Sequence, residues 1–121
     1  MTEMREFSTG ATRNLDDNKL DYEGFLSPLV LEEFAKYMHT HRLQADGKLR
    51  ASDNWQKGIP QDAYIKSLWR HFMSVWKMHH GHCAVDENGK PVTMKQELTA
   101  VMFNVMGYLH EEIKKENNPP S

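Results

Sequence analysis

Three helix-start signals, each followed by apolar residues at helical spacing, constrain this chain more than any other feature. Ser27 precedes Pro28, which places a side-chain cap before a proline at the first helical position. Pro60 opens a second run, and Thr93 with Gln96 three residues on forms a capping box at the start of a third. Behind these signals lie Leu31, Phe34, Ala35 and Met38, then Ile65, Leu68, Phe72 and Val75, then Leu98, Val101, Met102, Val105 and Leu109. Each set keeps the 3.6-residue period of one buried helical face. The spacing predicts helices over residues 28–42, 60–79 and 94–115, with no sheet beyond a short hairpin at Asn88-Gly89. The expected fold is all-α, with three main helices joined by long loops. Trp69, Met73 and Trp76 widen the second stripe beyond what two partner helices in one chain can cover. Dimerisation is therefore expected to complete a helical bundle, which makes a homo-oligomer the first expected partner.

A chain of 121 residues suits one core rather than two. The first twenty residues read as a polar arm, ordered only if something holds it; residues 21–115 form a single helical domain, and 116–121 a flexible tail. A net charge of -2 offers no global basic field for wrapping nucleic acid or docking on a membrane. One cysteine, Cys83, excludes an internal disulfide and a paired-cysteine metal site. The N-terminal segment lacks the apolar centre of a signal peptide, and no apolar run is long enough to span a bilayer. A cytoplasmic location is expected.

Phosphate loops of the GxGxxG or GxxxxGK[ST] type, GxSxG elbows and HExxH helices are all missing. The segment HHGHC at 79–83 contains metal-ligating residue types, but histidines at a helix end more commonly satisfy its last carbonyls. Arg70 and His71 lie mid-way along the second helix beside Trp69 and Phe72. Neighbouring positions are about 100° apart, so one of the two must approach the apolar seam and needs a partner there, a carboxylate or a ligand phosphate. Glu97, Asn104 and Tyr108 form one polar line on the third helix. That line fits a ligand-facing surface and a half-exposed helix edge equally well. The loop SDNWQKGIP brings together Asn54, a stacking surface in Trp55, and Lys57, parts suited to a base and phosphates.

The segments KLDYEGFLSPLVLEEFAKYM, SDNWQKGIP, SLWRHF and ELTAVMFNVMGYLHE resemble the phage-associated dATP/dGTP diphosphohydrolase N-terminal domain family over about residues 15–113. The family's HLxHAxxN helix appears here as ELTAVMFN: Asn104 matches its asparagine, Glu97 stands at the first histidine and Ala100 at the second. The resemblance implies conversion of a purine deoxynucleoside triphosphate to monophosphate and pyrophosphate, in the manner of MazG-like pyrophosphohydrolases. It also implies Mg²⁺ or Mn²⁺, for which Asp21, Glu23 and Glu97 are the expected ligands. Glu97 and His71 are the expected catalytic residues. Asn54, Trp55, Lys57, Arg70 and Asn104 are the expected contacts to a purine nucleotide. The ExxE and ExxD pairs of the MazG-like enzymes are not evident. The alternative is a non-catalytic protein, either a nucleotide-sequestering module or a phage inhibitor that partners a host defence protein.

Overall fold

The computed structural model describes residues 4–14 and 18–118, and it contains two compact units, within residues 1–31 and 32–121. In the first, strands β1 (Met4–Glu6) and β2 (Thr12–Asn14) pair antiparallel, with Arg5 opposite Arg13. Gly10, at φ 89°, lets the chain turn back between them, and Phe7 N–H donates to the Ala11 carbonyl at 2.8 Å. This sheet corrects the expectation of no sheet beyond a short hairpin at Asn88-Gly89. A two-stranded ladder closed by backbone bonds needs no alternating apolar pattern, so none announces it. A short helix, α1 (Tyr22–Phe25), follows, with the Asp21 carboxylate accepting from Gly24 N–H at 2.9 Å. The tail's last residues, 119–121, lie outside the described residues.

The three long helices start where the sequence signals place them. Helix α2 (Pro28–Thr40) is capped by Ser27, whose Oγ accepts from Val30 N–H at 3.2 Å. Helix α3 (Gln61–His79) begins directly after Pro60. Helix α4 (Met94–Asn117) carries both bonds of the Thr93–Gln96 capping box and runs two residues past the expected end at 115. Two turns shape the connections. Leu43 bridges Leu49 around Asp46-Gly47, and Val85 bridges Pro91 around Asn88-Gly89. A 3-10 turn at Asn54–Lys57 then leads into α3.

Helices α3 and α4 pack antiparallel: Gln61 bonds Glu112 near one end, Tyr64 meets Phe103 and Gly107, and His71 bonds Glu97 near the other. Which face of α4 is buried corrects the expected stripe. The covered row is Glu97, Ala100, Asn104 and Gly107, while Leu98, Val105 and Leu109 face solvent. Gly107 is small enough to take the ring of Tyr64 from α3 against it, which a larger apolar residue would prevent. On α3 the expected inward residues Ile65 and Phe72 are likewise exposed, and Trp69, Met73 and Trp76 are open to solvent in the single chain. Among the described residues no helix is long and apolar enough to cross a membrane.

Candidate functional site

Glu97 stands in the first turn of α4, where the helix dipole favours negative charge, and is only 5 % exposed. A carboxylate so enclosed needs a partner, and α3 provides one: His71 Nδ1 donates to Glu97 Oε2. The bond fixes the tautomer, leaving Nε2 as the nitrogen able to accept a proton. Of the adjacent Arg70-His71 pair, it is therefore His71 that turns toward the seam. Arg70 stays exposed, with no carboxylate partner among the described residues.

Glu97 and His71 lie on the wall of an open cleft of about 1060 Å³ between α2, α3 and α4. Lys36 and Arg70 bring positive charge to it, and Asp86 and Glu87 of the 85–91 turn bring negative charge. The side of the cleft formed by α2 is tied to α4 by an ion pair of Lys95 with Glu33 at 3.6 Å. Tyr37 also lines it. Burial, and secondarily the nearby Glu97 charge, hold the Tyr37 phenol above its ordinary pKa.

Tyr37 and His41 line a second cavity as well, of about 450 Å³. The two rings lie 4.2 Å apart, and His41 Nδ1 donates to the Tyr37 carbonyl at 2.8 Å. Trp55, Phe103, Met38 and Ile59 give this cavity an apolar lining, and Arg42 and Arg50 stand at it with no acidic residue among its described lining. Trp55 meets His110 and Phe103 edge-on, with ring centroids 4.9 and 6.2 Å away. The side chain is thus fixed by α4 while still reaching the cavity.

The expected site residues therefore divide. Glu97, His71 and Arg70 share the cleft, and Asn54 and Trp55 share the adjoining cavity. Lys57 is exposed and lines neither. Asn104 is buried at 4 % exposure and donates through Nδ2 to the Ala100 carbonyl of its own helix at 2.8 Å. It also lines neither cavity. Asp21 caps α1 and Glu23 lies within α1, both in the first unit. Among the described residues no three His, Cys, Asp or Glu side chains gather as a metal-holding group. Glu97 itself bonds His71. Arg42 and Arg50 escaped the sequence reading. The Asp46-Gly47 turn was the signal for them, since a bridge of 43 to 49 sets 42 opposite 50.

Compared with known proteins, the chain matches the family model described as dATP/dGTP diphosphohydrolase, N-terminal, over residues 9–119. It belongs to that family. The match leaves out β1 but takes in all three long helices, with the Trp55 loop, the Arg70-His71 pair and Asn104 inside it. No curated protein and no solved structure matches the chain.

Proposed function

We propose that this family member acts on purine deoxynucleoside triphosphates, releasing monophosphate and pyrophosphate, with Glu97 and His71 as its acid–base pair. The observation that carries this reading is the buried Glu97 carboxylate bonded to His71 on the wall of an open cleft. A carboxylate that orients an imidazole is a common means of making a general base. In the reaction a water oxygen bonds to phosphorus, the bridging P–O bond between the α and β phosphoryl groups breaks, and the proton of water passes to His71 Nε2. Glu97 stabilises the resulting imidazolium. Arg70 and Lys36 offset charge on the phosphate oxygens. Mg²⁺ or Mn²⁺ would enter on the triphosphate's own oxygens rather than in a protein cage. The test is incubation with each nucleoside triphosphate, with added cation or with chelator, and separate resolution of products and bound ligand.

The sequestering alternative draws support from the second cavity, where Arg42 and Arg50 offer positive charge, since binding needs cations but no proton acceptor. Tight nucleotide binding in chelator without pyrophosphate release would favour it.

The reading includes a homodimer. Ile65, Trp69, Phe72 and Trp76 of α3 and Leu98, Val105 and Leu109 of α4 are exposed. Helical geometry sets them on the side of the pair away from the cleft. Trp69 is 58 % and Trp76 53 % exposed. With about 150–250 Å² per aromatic side chain, such a face approaches the ~800 Å² that each partner contributes to a standard interface. A second copy placing the same face against it would make a four-helix core.

A further inference from the structure

The cavity beside the cleft combines an aromatic lining with two arginines, and that combination of features selects its ligand. Trp55 and Phe103 offer apolar ring surface, while Arg42 and Arg50 carry the charge. Two bonds link the arginines: the Arg50 backbone N–H donates to the Arg42 carbonyl, and the Arg42 side-chain Nε donates to the Arg50 carbonyl, each at 2.9 Å. Arg42 is thereby anchored by Nε with its terminal nitrogens left to act as donors. Among the described residues no carboxylate pairs with either arginine and none lines the cavity. Its volume of about 450 Å³ lies within the roughly 300–1,000 Å³ of small-molecule sites.

We propose that this cavity is the nucleobase subsite, holding a purine against Trp55 and Phe103, and that Arg42 and Arg50 grip the first phosphate. The proposal rests on the nucleotide reading of the neighbouring cleft. Because Tyr37 and His41 line both spaces, a nucleotide seated this way leads its outer phosphates past them toward Arg70 and Glu97. Ring stacking and guanidinium–phosphate bonding are separable contributions, so monophosphate and unphosphorylated nucleoside should differ in a predictable way.

The test is calorimetric titration of the whole chain with dAMP, dGMP and the two deoxynucleosides. Wild-type protein should bind the monophosphates about 10–100-fold more tightly than the nucleosides, the scale of charge-assisted bonds. The Arg42→Ala/Arg50→Ala variant should lose that advantage and keep nucleoside binding. Ser52→Glu, which places a carboxylate at the same wall without touching the arginine bonds, should do the same and covers the case in which the double variant fails to fold. A folded Ser52→Glu or double variant that retains the monophosphate advantage overturns the proposal. Wild-type protein with no such advantage also overturns it. Absence of turnover with the arginine dependence intact defeats the diphosphohydrolase reading alone.

Discussion

Gly107 of α4 lies flat against the ring of Tyr64 on α3, so that a methyl group at position 107 would overlap ring carbons. Tyr64 is 2 % exposed and meets Phe103 at 5.8 Å between centroids. Alanine would gain about 1 kcal/mol in helix propensity, but overpacking at a fixed aromatic ring costs roughly 1–3 kcal/mol. Gly107→Ala is therefore expected to lower the melting temperature, despite being favourable in an isolated helix. Tyr64→Phe should be neutral or stabilising, because the buried hydroxyl has no hydrogen-bond partner among the described residues. Thermal unfolding followed by circular dichroism checks both.

That contact also shows how far the sequence could be read. The starts of α2, α3 and α4 were legible because Ser27-Pro28, Pro60 and Thr93 with Gln96 act locally. Periodicity groups residues on a face but does not say which face packs within the chain. Thus Leu98, Val105 and Leu109 were expected inside, whereas Ala100 and Gly107 are the buried residues. The β1–β2 pairing gave no apolar signature, since Met4, Glu6, Thr12, Arg13 and Asn14 are all exposed. Of the candidate site, the Arg70-His71 pair was legible as needing a partner at the seam, and Glu97 as part of a polar line on its helix. Their mutual bond required the antiparallel register of α3 and α4, which no local motif encodes.

Tyr37 supplies a pH prediction. Its folded pKa is raised, so the folded state resists ionisation more than the unfolded chain does. The associated stability is fully present below the ordinary phenol value of about 10 and is lost as pH rises through the folded pKa. Tyr64 is raised in the same direction, by burial first and the Glu111 charge second. Denaturant midpoints should fall above pH ~10, and less steeply in Tyr37→Phe. An equally steep fall in that variant would remove Tyr37 from the explanation.

Arg70 is exposed and has no carboxylate partner among the described residues, whereas His79 ends α3 and His80 caps it. Arg70→Ala should leave stability nearly unchanged and weaken triphosphate binding about 10–100-fold, the range for a charge-assisted donor. Replacing His79, His80 and His82 together should change binding little. Steady-state kinetics and titration of the two variants make the comparison; intact function without Arg70 and lost function without the histidines would reverse the site assignment.

The exposed α3/α4 face predicts twice the chain mass in light scattering at high concentration, and a single-chain mass for Trp69→Glu/Trp76→Glu. Wild-type protein that stays at single-chain mass under those conditions contradicts the homodimer.

Glu97→Gln tests the acid–base pair most directly, because glutamine keeps the shape while removing the charge that holds His71. Pyrophosphate release from dATP and dGTP should be measured for wild type and variant, with circular dichroism to show that both are folded. The account predicts turnover by wild type and a loss of at least ~100-fold in the variant, the scale of losing one transition-state interaction. A folded Glu97→Gln protein that releases pyrophosphate at the wild-type rate, or a wild type that releases none, would contradict it.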